Sequence, residues 1–124
     1  MKVELWVPCE VWTSNRQRKM HHFAQAALVK EARTAAMLLA RNTRVRLTPP
    51  VFVEFRPHQG MRGVLADTSA HHPTAKAVLD GCVDAKVIPD DTPDVVLWQT
   101  FMPPIKDRAT GIHITIQEVN HEDR

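Results

Sequence analysis

The chain has 124 residues, 44% of them hydrophobic and 24% charged, a composition that fits one domain with a single modest core and excludes a multidomain architecture. The longest uninterrupted apolar run, residues 35–40, is far short of the roughly 20 residues a membrane-spanning helix needs, and no charged-then-apolar leader opens the chain, so no membrane partner and a cytoplasmic location are expected. The formal charge of +2 conceals an asymmetry: up to Gly63 there are 11 Lys/Arg against 4 Asp/Glu, and after it 5 against 10, giving halves of +7 and −5.

Val3, Leu5 and Val7 alternate with Lys2, Glu4 and Trp6, the period of a half-buried strand that Pro8 ends. Ser14 and Gln17 then form an S-x-x-Q capping pattern, and residues 14–40 are rich in helix formers, which predicts one long helix. Its buried stripe is expected at Ala24, Leu28, Ala32, Ala35 and Leu39. Residues 51–56 read as a strand after Pro49 and Pro50, and residues 58–69, with Gly60 and Gly63, as a loop ending near Asp67. A second helix is predicted over 73–85, with Ala75, Leu79, Cys82 and Ala85 on its apolar face. A turn over 87–93 carries Asp90 and Asp91. Residues 95–102 and 112–119 close the chain as a hairpin-like pair of strands, and 120–124 form a frayed tail. The expected order is β-α-β-α-β-β, a single α/β (α+β) domain with a small mixed sheet and two helices on its faces.

Two cysteines, Cys9 and Cys82, are too few for a disulfide framework and lie in no metal-binding spacing, so reduced, buried thiols are expected. The acidic residues leave two readings open. Asp90-Asp91 before Thr92-Pro93 fits an Asx-type turn, and it also fits a site for a hard divalent cation, which takes carboxylates, water and a substrate phosphate. Lys76 either pairs with Asp80 at i, i+4 or neutralises charge on a phosphate. Arg16, Arg18 and Lys19, then Lys30, Arg33, Arg41, Arg44, Arg46 and Arg62, are candidate phosphate contacts or a solvated basic face. Trp12, Trp98 and Phe101 are candidate wedges or core, and Glu54 is a further candidate ligand.

The stretch PTAKAVLDGCVDAKVIPDD, residues 73–91, resembles the lysine-bearing helix and paired-aspartate turn of the RusA-type Holliday-junction resolvases, especially those encoded by actinobacterial phages. Trp12-Thr13-Ser14-Asn15-Arg16 and Val53-Glu54-Phe55-Arg56-Pro57 add weaker support. In that family a D-x-D-N pattern precedes the helix. Asp67 matches its first aspartate, Lys76 its helical lysine, and Asp91 its distal metal-binding aspartate, with Asp90 alongside. Ser69 and Ala70 replace the second aspartate and the asparagine, so the site is one negative charge short; Ser69 and His72 are candidate substitutes, and His71 adjoins them.

The resemblance implies a RusA-like fold and a homodimer with acidic residues near its interface. It implies an endodeoxyribonuclease dependent on Mg²⁺ or Mn²⁺ that resolves branched DNA in recombination or repair, in the bacterial host cytoplasm if phage-encoded. Asp67, Asp90 and Asp91 would hold metal, Asp67, Asp91 and Lys76 would be catalytic, and Arg16, Arg18, Lys19 and Arg62 would contact DNA. The missing carboxylate supports an alternative, a catalytically impaired relative that binds branched DNA. A third reading is a small interaction domain with no nucleic-acid role.

Overall fold

The computed structural model describes residues 1–120, so residues 121–124 of the expected tail lie outside the described residues. The elements are β1 (Lys2–Pro8), α1 (Ser14–Arg18), α2 (His22–Thr43), β2 (Val51–Gln59), α3 (His72–Asp84), β3 (Val96–Phe101), β4 (Ile105–Lys106) and β5 (Gly111–Glu118). They form a small α+β fold with one mixed five-stranded sheet and a continuous apolar core, as expected at the level of class. Among the described residues no helix is long and apolar enough to cross a membrane.

The predicted long helix is two helices. The cap moves back one residue, because the Thr13 side chain, not that of Ser14, accepts the Arg16 N–H, while Gln17 takes the Trp12 indole N–H at 2.8 Å. After α1 ends at Lys19, His21 starts a new helix with extended backbone and a ring nitrogen that accepts the Phe23 N–H. Gln25 ties the break together, its amide donating to the Gln17 and Met20 carbonyls. Neither glycine nor proline marks the break, so composition hides it.

The buried stripe of α2 is also rotated from expectation. Ala32, Ala36 and Ala40 are buried and Leu28 and Ala35 partly so, whereas Ala24 and Leu39 are exposed. The packing of α3 selects this small-residue face. A Cβ on Gly81 would stand 2.7 Å from the Ala36 Cβ and 2.9 Å from the Met37 nitrogen, with the Arg33 carbonyl closer still, so the two helices meet backbone to backbone.

The strand order is β1-β5-β2-β3, with β4 also pairing β2. β5 is antiparallel to β1 and β2, while β3 and β4 run parallel to β2. The expected closing hairpin is therefore absent, because β2 lies between β3 and β5. Burial explains the order: Ile112, Ile114 and Ile116 are fully buried and put β5 inside the sheet, whereas β3, mostly exposed, takes an edge. β2 runs three residues past its expected end, through Pro57. The Phe55 carbonyl accepts from Met102 on the outer side, so alternation turns the Pro57 nitrogen to that same side, where β3 has stopped and β4 has not begun.

The buried residues of β1, β2 and β5 share one face through their register, and α2 and α3 pack there together rather than one on each side. Among the described residues no helix covers the other face. Cys9 and Cys82 are free and buried in this core, as expected; burial pushes each thiol up to about 12, which removes both as nucleophiles.

Candidate functional site

Lys76 points outward from α3, one turn before Asp80, and its Nζ donates to Asp80 Oδ1 at 2.8 Å. Beyond α3, Lys86 takes a left-handed conformation (φ 67°) and the chain doubles back. Val87 and Ile88 are fully buried, and Leu47 N–H donates to the Val87 carbonyl at 2.8 Å. This anchored return brings Asp91 alongside α3, where its Oδ2 accepts a second hydrogen bond from Lys76 Nζ. Asp90 Oδ1 accepts the N–H of the adjacent Asp91 at 2.8 Å, one residue short of the i, i+2 bond of the expected Asx-type turn, and Asp91 keeps its carboxylate on the Lys76 side.

The charges on this cluster are mutually fixed. The hydrogen bond from Lys76 holds the Asp91 carboxyl below the usual carboxylate range. Burial pulls the Lys76 ammonium down, but its bonds to Asp80 and Asp91 outweigh that, and the net direction is up. His72 and Gln17 line the same cleft as Lys76 and Asp80.

Asp67 and Ser69 line a different cleft, with Ser14, Asn15 and Arg18. The loop that carries them is pinned by Gln59, whose amide donates to the Val64 carbonyl at 2.9 Å and accepts the Ala66 N–H at 3.0 Å. His71 is buried, its Nδ1 3.3 Å from the Trp12 carbonyl, and burial lowers its pKa; it serves packing, and of the two histidines only His72 reaches the Lys76 cleft.

The structure thus brings together Lys76, Asp80 and Asp91, with Asp90 and His72 adjoining, and places Asp67 and Ser69 elsewhere. Among the described residues no group of three or more His, Cys, Asp or Glu is gathered as a metal site. The hard oxygens of Asp80 and Asp91 suit Mg²⁺ or Mn²⁺, but they are only two carboxylates, and they share one ammonium that offsets one of their two charges. The sequence assigned Asp80 only a structural role; its i, i+4 spacing from Lys76 was the available signal.

Several basic candidates are already engaged. Arg16 binds Glu10 at 2.8 Å, Arg33 grips Asp84 at 2.6 and 2.9 Å, and Arg18 donates to Asn15 Oδ1 at 2.5 Å. Lys19 and Arg62 are exposed. Trp12 is buried and Phe101 stacks on Phe55, which removes both as wedges and leaves Trp98 exposed. Glu54 alternates onto the uncovered face of the sheet, away from α3. No protein-family model matches the chain and no curated protein matches it, so the likeness to RusA-type resolvases rests on the residues themselves.

Proposed function

We propose that this protein is a RusA-like, homodimeric endodeoxyribonuclease that acts on branched DNA with Mg²⁺ or Mn²⁺. The observation that carries the reading is the convergence of Asp80 and Asp91 on Lys76, within the stretch that most resembles those resolvases. Asp91, ionised, and Asp80 are the carboxylates that would hold the ion, with Asp90 fixing the turn behind them. A bound ion supplies Lewis-acid neutralisation of phosphate charge and acidifies a water. Lys76, once the carboxylates are otherwise neutralised, is free to turn its ammonium to a phosphate oxygen. His72 stands in the same cleft as a proton acceptor. Asp67 enters from the resemblance alone. Lys19 and Arg62, with Arg16 and Arg18, would contact backbone phosphates, which position DNA without reading its sequence.

A second reading, a branched-DNA-binding relative that no longer cuts, is favoured by Ser69 and Ala70 and by the ammonium already holding both carboxylates. Incubation with a labelled four-way junction and a linear duplex, in Mg²⁺, Mn²⁺ or EDTA, separates the readings. Cleavage confined to the junction, dependent on metal and lost in Asp91→Asn and Asp80→Asn, is expected. Tight junction binding without cutting in either metal replaces the first reading by the second. Equal, weak affinity for both DNAs overturns both.

A further inference from the structure

Successive residues of a strand alternate between faces, so the register sorts the uncovered face of the sheet into rows about 7 Å apart. The first row holds Phe52 and Trp98, and the second Glu54 and, beyond Thr115, Glu4. The third holds Arg56, His113 and Trp6, and the fourth His58. Phe52 and Trp98 stack almost parallel, 5.2 Å between centroids and 7° apart in plane, and Trp98 is 42% exposed. Trp6, also exposed, reaches across β5 to meet the His58 ring edge-on at 4.6 Å. Gly111 makes room for it, since a Cβ there would stand 2.9 Å from Trp6 Cη2. Rings this exposed on a sheet face mark a binding surface and suit flat π-systems.

The charges are separated along the face. Lys2 engages Glu4 at 3.3 Å, whereas Glu54, one row from the stacked rings, has no partner among the described residues. Arg56 follows in the next row and uses one of its five N–H donors on the Pro103 carbonyl, with His113 beside it unpartnered among the described residues. Past His58, which holds Asp107 at 3.0 Å, Lys106 and Arg108 stand exposed at the same end. Along β2 the face therefore offers an aromatic platform, then a hydrogen-bond acceptor, then a cationic end.

We propose that this face is a subsite for an unpaired guanine nucleotide in single-stranded DNA. Stacking of the base on Trp98 supplies affinity without regard to sequence. The Glu54 carboxylate offers only acceptors, and guanine alone among the DNA bases presents two adjacent donors, N1–H and N2–H₂, on its pairing edge. Adenine and cytosine set one donor beside an acceptor, and thymine sets one donor between two acceptors, so each of them turns lone pairs toward Glu54. A backbone phosphate one row further on meets Arg56 and His113, which position the strand. A basic peptide suits Glu54 but not the cationic end, and a duplex hides the base edge that Glu54 reads. This subsite rests on the preceding section only for DNA as the polymer, and none of its residues belongs to the Lys76 cluster. Acidic residues near a dimer interface put that interface on the helical layer, which leaves the sheet face open to a strand.

Isothermal titration of the full chain with unlabelled pentanucleotides, at concentrations up to about 500 µM, tests the subsite. The pentanucleotide dTTGTT is expected to bind at least about fivefold more tightly than dTTATT, dTTCTT or dTTTTT. Trp98→Ala should weaken dTTGTT binding at least about fivefold. Glu54→Gln should abolish the preference for guanine while leaving dTTATT binding intact, because an amide pairs a donor with an acceptor. No binding of any pentanucleotide, equal affinity for all four, a guanine preference that survives Glu54→Gln, or an affinity unchanged in Trp98→Ala would each overturn the proposal. So would tighter binding of rUUGUU than of dTTGTT, or binding of an arginine-bearing peptide in place of the oligonucleotides. Junction cleavage without guanine binding overturns this subsite alone, and guanine binding without junction cleavage overturns the nuclease alone.

Discussion

Lys76 satisfies two carboxylates that would otherwise repel each other on the surface of α3. Asp91 has a folded-state pKa below its unfolded one, so its contribution to stability is present above the unfolded value and is lost as pH falls through the folded value. The raised pKa of Lys76 acts oppositely, its contribution lasting until strongly alkaline pH. Lys76→Met should therefore cost less than about 1 kcal/mol at neutral pH, given the partial exposure of the cluster. The gap from wild type should close on acidification below about pH 4; urea unfolding across pH measures it, and a gap unchanged in acid would show that Lys76 acts through packing. Thr74 is a sharper case. Fully buried, its hydroxyl accepts the Trp12 N–H and donates to the Trp12 carbonyl, fixing the chain between β1 and α1. Thr74→Val keeps the shape and strands the Trp12 N–H, while the Trp12 carbonyl keeps His71 Nδ1 at 3.3 Å, which should cost roughly 1–3 kcal/mol; a midpoint within error of wild type would refute that accounting.

The helices show where local pattern stops being sufficient. For α3 the apolar face and the proline near the start were legible, and the observed span differs from expectation by one residue at each end. For α2, alanines and leucines at several compatible spacings left the buried face undetermined, and only contact with Gly81 chose it. Gly81→Ala should raise intrinsic helix propensity by about 1 kcal/mol yet destabilise the protein overall, by roughly 1–3 kcal/mol, because the new methyl forces the helices apart. Denaturant unfolding with an unchanged m-value would confirm a packing cost, and a stabilised variant would show that α2 and α3 part more easily than their contact suggests.

The charge asymmetry along the chain is partly cancelled by the topology. β5, from the acidic half, sits between β1 and β2 of the basic half, and Arg33 of α2 closes on Asp84 of α3. The basic residues stay exposed, but Lys2, Arg16 and Arg33 are closed on carboxylates, so in the junction assay the affinity should fall with salt less steeply than the count of basic residues would give. The same folding-back explains the site: Asp91 reaches Lys76 because the buried Val87 and Ile88 turn the chain, whereas Asp67, in a loop pinned by Gln59, is held in another cleft.

Periodicity and turn chemistry were enough to read the α+β class, the β1 pattern, α3, the buried thiols and the Lys76–Asp80 spacing, because each depends on residues within a few positions of one another. Strand order, the break between α1 and α2, the helix face that is buried, the uncovered sheet face and the choice of Asp80 over Asp67 as the neighbour of Asp91 depend on which surfaces find each other across the chain. Those choices follow from burial and close packing summed over distant segments, and no local pattern encodes that sum.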